Sequence, residues 1–362
     1  MKKLILISLI VLVAVSCGPK RHYAIQVSSE GGPGNRIVHN NWDISSDTLK
    51  LDGGKCMFTG IIDTFPKLVS IGFTPPSYLS TRMILEPGKI FVDYTKENGF
   101  KLGGTENNII FQKLLDEMKP FQDDAAKVWK AWNVAYNKTP RSKEECEAIW
   151  IQHEDANQRT LDKTRELIKA NPNFAGLVIT LPIIRSEPVE YLKSYVDEFK
   201  AFSNNRWFQM IVKEYEIADK TISGKPVPGF SFPDTTGKMV SLSDFKGKWV
   251  LLDFWYVDCP WCRKLTPHMI DIYKDWKQSK NFEIISISVD KPKDYKRWKE
   301  AIVEDKSPWT QVNDSTKTYP DVYGINGYPT LILVDPQGNG VKKIIGYQEE
   351  NGLRRLLGEF IK

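Results

Sequence analysis

The chain has 362 residues, 41% hydrophobic and 12% aromatic, enough to bury the cores of two or three globular domains and to exclude a disordered chain. Its 50 basic and 45 acidic residues leave a formal charge of +5 with no long basic run or arginine-rich arm, so nucleic acid is not an expected partner.

In chain order, the first segment is MKKLILISLIVLVAVSC, a basic start (Lys2, Lys3), an apolar run and small Ser16 before Cys17, the layout of an export signal. The run is too short for a good membrane span. Cys17, directly after it, resembles the lipobox cysteine of bacterial lipoproteins, with Ala14 where Leu is usual. The resemblance implies that residues 1–17 are a signal peptide with its lipobox cysteine and that lipidated Cys17 anchors a periplasmic protein to the inner or outer membrane. Several acyl chains, each methylene worth roughly 0.8 kcal/mol on burial, would hold it there. An ordinary cleaved signal is the other reading. Export also sets an oxidising compartment. With Cys17 acylated, Cys56, Cys146, Cys259 and Cys262 remain, and the first two are expected to be buried and inert.

From about Val27 to Phe100 short strands alternate with turns: KCMFTGIID after Gly53-Gly54, KLVSIGF before Pro75-Pro76, TRMILEPGKIFVDY broken at Pro87-Gly88. An all-β sandwich is predicted over residues 24–104. Its pattern is similar to the β-domain that precedes thioredoxin-like domains in exported proteins of Bacteroidetes-type bacteria. Residues 105–222 turn to helical spacing, with Leu114, Met118 and Phe121 at i, i+4 and i+7, and Trp129, Trp132 and Tyr136 at three and four. Such a stripe is the expected buried face of a helical bundle, and the charges from Arg141 to Lys169 are expected on solvated faces.

The breaker-rich segment from Ser223 to Lys238 opens the last region, residues 225–362. Here WVLLDFWYV, FEIISISV, TLILVD and VKKIIGY read as strands; the segment after Pro260, Lys293 to Glu304 and Gly352 to Ile361 read as helices. A βαβ unit, a β-hairpin and a final helix make an α/β domain with a mixed sheet. Cys259 and Cys262 fall at the carboxyl end of its first strand, where open α/β sheets place their sites. A bond between them closes so short a loop that it constrains little of the unfolded chain, so chemistry explains the pair better than stapling. At a helix N-terminus Cys259 meets unpaired N–H groups and the positive end of the dipole, both favouring thiolate, and is the predicted nucleophile. Cys262, one turn deeper, is the expected resolving thiol.

The segments VLLDFWYVDCPWCRKLTP, GYPT and ILVDPQGN resemble the thioredoxin superfamily, in its branch of periplasmic, membrane-attached (TlpA/ResA-type) thiol-disulfide oxidoreductases. The match covers about residues 225–362 and implies a thioredoxin-like fold there; with the patterns read above, the expectation is a multidomain protein: N-terminal all-β sandwich, middle α-helical region, C-terminal α/β thioredoxin-like fold. The match also implies that Cys259 and Cys262 are redox-active, that buried Asp253 assists proton transfer at the second cysteine, and that Pro329 is cis and presents backbone to substrate. Pro260, Trp261 and Tyr328 are the substrate-facing candidates, Trp261 either as an exposed apolar platform or packed on the domain. The resemblance further implies that the redox group is the Cys259–Cys262 disulfide, with no separate cofactor expected. The partners implied are periplasmic protein thiols and disulfides and a membrane electron donor, with oligomeric state left open.

Zinc is disfavoured because no second ligand pair comes at suitable spacing, and haem attachment because Arg263 stands where His is needed. His268 is expected on the helix surface rather than as a base. The family usually has Trp before the first cysteine; here Asp258 opposes the thiolate while Arg263 and Lys264 favour it, which suggests a moderate reductant. Two alternatives stand beside this reading. A thiol peroxidase is suggested by residues 226–248, but Tyr256 replaces the Thr that would orient peroxide. A non-catalytic envelope lipoprotein would use the fold as a scaffold.

Overall fold

The structure is a computed structural model that describes residues 21–34, 36–41, 45–62, 66–74 and 79–362. The signal segment and Cys17 lie outside the described residues. The chain forms two compact units, one ending at Lys113 and one from Leu114 to Lys362.

The first unit holds β1 (Arg21–Glu30), β2 (Arg36–Asn41), β3 (Ser45–Lys50), β4 (Lys55–Ile62), β5 (Lys67–Phe73), β6 (Ser80–Leu85), β7 (Gly88–Thr95) and β8 (Gly99–Gly103). They make two four-stranded sheets, ordered β4-β1-β7-β8 and β3-β2-β5-β6. Strand β7 shows the period-2 rule that sets its register: Ile90, Val92 and Tyr94 are buried while Lys89, Phe91 and Asp93 face out. Phe73 of the second sheet meets Tyr94 and Phe100 of the first at ring separations of 5.0 and 5.9 Å. Gly53 and Gly54, with φ of 53° and 77°, turn the chain from β3 into β4, a conformation that favours glycine. Helix α1 (Glu106–Tyr136) starts here, its buried Asn108 exchanging hydrogen bonds with the Ile84 backbone at 3.0 and 2.6 Å.

The second unit contains the rest of α1, then α2 (Lys143–Ala170), α3 (Phe174–Thr180), α4 (Val189–Glu198) and α5 (Arg206–Thr221). The α/β layer follows: β9 (Ser231–Pro233), β10 (Met239–Ser241), β11 (Trp249–Trp255), α6 (Pro260–Ser279), β12 (Phe282–Ser288), α7 (Tyr295–Asp305), β13 (Thr310–Asn313), α8 (Thr318–Val322), β14 (Thr330–Val334), β15 (Gly340–Ile345) and α9 (Glu350–Gly358). Its sheet runs β13-β12-β11-β14-β15, with β11, β12 and β13 parallel and β14 and β15 closing as an antiparallel hairpin. Both faces are covered, so β11 and β12 are buried almost throughout, β11 as a nearly continuous apolar run and β12 with Glu283, Ser286 and Ser288 among its apolar residues. Leu251, Ile284, Leu331 and Leu333 pack toward α6 and α9; Val250, Leu252, Phe254 and Ile287 pack toward Phe230, Phe232 and Tyr323.

The tryptophan stripe of α1 is not the inside of a separate bundle. Trp132, with Cys146 and Trp150 of α2, joins the apolar cluster of α6 and α9, and Trp129 and Tyr136 pack at its edge. Helical period identifies a face that must be buried, but not the surface that buries it. Glu147 likewise leaves the solvated face expected of it: it is 5% exposed and accepts the Asn351 N–H at 3.0 Å. Strand β13 and helix α8 were not expected, and α9 starts two residues earlier than its pattern suggested.

Trp132 is fully buried and donates its indole N–H to Glu349 Oε1 at 3.1 Å. Trp132→Ala should destabilise the second unit by about 3–5 kcal/mol, read as a lower midpoint of urea unfolding.

Candidate active site

Strand β11 delivers the chain to a tight turn in which the Cys259 N–H donates to the Tyr256 carbonyl at 3.1 Å. Cys259 is then the N-cap of α6, with φ −85° and ψ 100°, and its Sγ accepts the Cys262 N–H at 3.1 Å. Pro260 suits the first helical position because an N–H there would have no helical acceptor. Cys259 and Cys262 form a disulfide, with Cα atoms 5.3 Å apart. The two are about equally covered, at 2% and 3% exposure, so the expected contrast between a reachable and a protected sulfur is absent. What distinguishes them is the helix-end N–H on Cys259, an electronic rather than a steric difference.

The turn is held by Asp290, which the sequence reading missed. Its carboxylate accepts the Val257 N–H at 3.0 Å and the Ser288 hydroxyl at 2.7 Å, and burial raises its pKa. The flanking charges also differ from expectation. Asp258 pairs with Arg297, whose hydrogen bond holds its carboxyl below the usual range, and Arg263 pairs with Glu304 at 2.9 Å and with Asp305. Each is answered by an opposite charge, so neither acts on Cys259 as an isolated ion. Lys264 lies over the rings of Trp261 and Tyr136, at 4.2 and 4.6 Å.

Asp253 projects from β11 on the side that carries Leu251 toward α6. It is 4% exposed; Oδ2 accepts the Ser286 hydroxyl at 2.6 Å, and among the described residues Oδ1 has no hydrogen-bond partner. Ser286 in turn accepts the Trp309 indole N–H at 2.8 Å. Burial pushes the Asp253 carboxyl from 3.8 up to about 7, outweighing the Ser286 hydrogen bond, so it can take or give a proton near neutrality.

The Tyr328–Pro329 peptide bond is cis, and the Pro329 carbonyl accepts the Gly346 N–H at 2.9 Å. Tyr328 packs beside the cysteines and meets Tyr256 edge-on at 5.2 Å. Trp261 is half-buried rather than a free platform, with its ring 6.0 Å from Trp129 and Trp132 and 5.6 Å from Tyr347. His268 is also not on the surface: it is 5% exposed, with Nε2 2.8 Å from the Tyr347 hydroxyl and 3.4 Å from Glu349. Burial lowers His268 to about 4 and raises Glu349, so at neutral pH the histidine is uncharged and the approach is not an ion pair. Helical period alone did not separate this face of α6 from its solvent side.

A cleft of about 910 Å³ opens beside the redox pair, with Trp261, Tyr328 and Pro329 in one wall and Trp129, Trp150 and His153 in the other. Among the described residues no group of three or more His, Cys, Asp or Glu is placed to hold a metal ion. Cys146 is buried as expected, whereas Cys56 is only half-covered, with its thiol pushed up to about 11 by burial. The arrangement suits a sulfur nucleophile at a helix tip and a buried proton acceptor on the adjoining strand.

Residues 223–342 match the model of the AhpC/TSA family. Thiol-disulfide oxidoreductase ResA of Bacillus subtilis is 35% identical over 133 residues, 35% of this chain and 70% of its own length. The protein of the same name from Bacillus cereus is 34% identical over 139 residues, 38% of this chain and 79% of its own. Among solved structures, the thioredoxin domain of a thiol-disulfide oxidoreductase from Bacteroides vulgatus is 41% identical, covering 38% of this chain and 97% of that one, with a TM-score of 0.35.

The raised carboxyl of Asp253 has a sign that can be checked. Between pH 3.8 and about 7 the folded chain binds a proton that the unfolded chain has lost, so wild-type stability falls as pH rises through that window. The full cost, reached above pH 7, is about 4 kcal/mol. Asp253→Asn should therefore be more stable than wild type at pH 8, with the gain vanishing near pH 4, measured by urea unfolding across pH.

Proposed function

This chain belongs to the ResA-type thiol-disulfide oxidoreductases, its α/β layer being their thioredoxin-like domain, and from that premise we propose that it reduces disulfides of periplasmic proteins through Cys259-Pro260-Trp261-Cys262. The observation that carries this reading is the Cys262 N–H aimed at Cys259 Sγ at the tip of α6, which favours a thiolate at the first cysteine. In the reduced enzyme that thiolate attacks a substrate sulfur, the substrate S–S bond breaks, and the released sulfur leaves as a thiolate that takes a proton. Cys262 then gives its proton to Asp253 and attacks Cys259 Sγ, releasing the second substrate thiol and leaving the Cys259–Cys262 disulfide. An external dithiol, supplied by a membrane electron donor, returns the pair to its reduced form.

A reducing direction is supported by the modest stabilisation of the thiolate. A strong oxidant needs an exceptionally favoured reduced form, whereas here the neighbouring Asp258 and Arg263 are each neutralised by their own partners. Pro329, Tyr328 and Trp261 line the cleft beside the pair and are assigned to the incoming peptide, with Pro260 fixing the helix start. The leader and Cys17 support a signal peptide over residues 1–17 and a lipid anchor in the periplasm. The remaining chain is read as domains 24–104, 105–222 and 225–362. The first is taken as a sandwich because Phe73 of one sheet packs on Tyr94 of the other.

With dithiothreitol as reductant, the detergent-solubilised full chain should accelerate insulin-disulfide reduction, while Cys259→Ser and Cys262→Ser fall to background. The second variant should accumulate a mixed disulfide through Cys259. Equal turnover in all three chains contradicts the reading. For the anchor, Cys17→Ala should move the protein from the membrane to the soluble fraction; a variant that stays on the membrane refutes lipidation as its tether.

A further inference from the structure

The cleft beside the redox pair has two walls of different origin. One comes from the α/β layer: Trp261 between the cysteines, Tyr328 and Pro329 in the matched region, and Tyr347 just past its end. The other comes from α1 and α2, which precede residue 223 where the family match begins: Trp129, Trp150, Ile151 and His153. Rings of both walls are in contact, with Trp129 6.0 Å from Trp261 and Trp150 5.4 Å from Tyr347. The helices therefore build half of the cleft that adjoins Trp261, Tyr328 and Pro329 beside the pair.

The charge on those walls is balanced. Arg355 is paired with Glu154, Asp155 with Arg159 at 3.0 Å, and Glu359 with Lys342 at 3.5 Å. His153 lies beside Asn157, its ring tilted against those of Trp129 and Trp150 at 5.2 and 5.0 Å. Among the described residues an occupant with a net charge finds no unmatched partner there, and it loses hydration on entering. An uncharged aromatic or aliphatic side chain finds ring faces and half-exposed Ile151. At about 910 Å³ the space is at the upper end of small-molecule sites and takes several residues of an extended peptide rather than a lone cystine.

We propose that α1 and α2 supply a specificity subsite that selects peptide disulfides whose cysteine is flanked by uncharged aromatic or aliphatic residues, read by Trp129, Ile151 and His153 opposite Trp261 and Pro329. This rests on the reductase reading above and names its substrate class. The subsite touches the segment next to the reacting sulfur, so it acts on kcat/KM for peptides and leaves the chemistry of the pair to α6.

The test uses the full chain and three synthetic peptide disulfides that differ only in the residues flanking the cystine: phenylalanine, lysine or glutamate. Wild type should reduce the phenylalanine peptide at least about tenfold more efficiently than either charged one, the discrimination an apolar pocket supplies. Ile151→Lys, at a position 51% exposed and so safe for folding, and Trp129→Ala should each cut that ratio below about threefold. A merely structural effect lowers all three rates alike. Equal rates in wild type, variants that keep the full ratio, or variants that lose all three rates together overturn the subsite. Reduction of glutathione disulfide but of no peptide sinks the subsite and leaves the redox reading standing. No reduction of any disulfide sinks both.

Discussion

One contact organises the site: the backbone N–H of Cys262 directed at the sulfur of Cys259 where β11 hands over to α6. It exists because a buried parallel strand ends at a turn short enough to make a cysteine the helix N-cap, a position where a side-chain acceptor satisfies an otherwise orphaned donor. Asp290 holds the turn from the neighbouring strand side by accepting the Val257 N–H. Because the sulfurs are equally covered, the order of attack has to come from this asymmetry in hydrogen bonding rather than from access.

The second feature is the way the helices of the second unit lean on the redox domain. In an isolated α/β layer the aromatic ring between the two cysteines would stand in water, but here Trp129 and Trp132 cover part of it. The contact also buries Glu349 and His268 beside Trp132 and Tyr347. A charged pair in that setting would need full compensation for lost hydration; burial instead drives both groups toward their neutral forms. The interface thus joins apolar area to a small uncharged polar network, which fixes how the rings meet.

The chemistry of the site was far more legible than its surroundings. A CxxC pair after an apolar run, an acid six residues earlier and a GYPT segment are local patterns, and Lys55–Ile62, Lys67–Phe73 and the two halves of the segment broken at Pro87-Gly88 coincide with β4, β5, β6 and β7 to within a residue or two. What stayed hidden depends on tertiary partners. Asp290 looks like any residue in a strand-ending loop until its carboxylate is seen on the Val257 N–H. The fate of the α1 stripe turned on which surface would cover it, and His268 sits on a helix whose burial follows from α9 and α1 together. Strand β13 is only four residues and took its place through pairing with β12. Local charge counting around Cys259 failed for the same reason: the partners of Asp258 and Arg263 come from α7, 39 to 42 residues away.

The account stands on Cys259 being the ionised thiol of the reduced pair. Brief alkylation of the reduced chain with iodoacetamide at pH 7, read by mass spectrometry of peptides, measures this directly. Cys56, whose thiol burial holds near 11, serves as an internal control. The prediction is that Cys259 is modified first, well ahead of Cys262 and Cys56. Modification of Cys259 no faster than the same thiol in the urea-unfolded chain would contradict it.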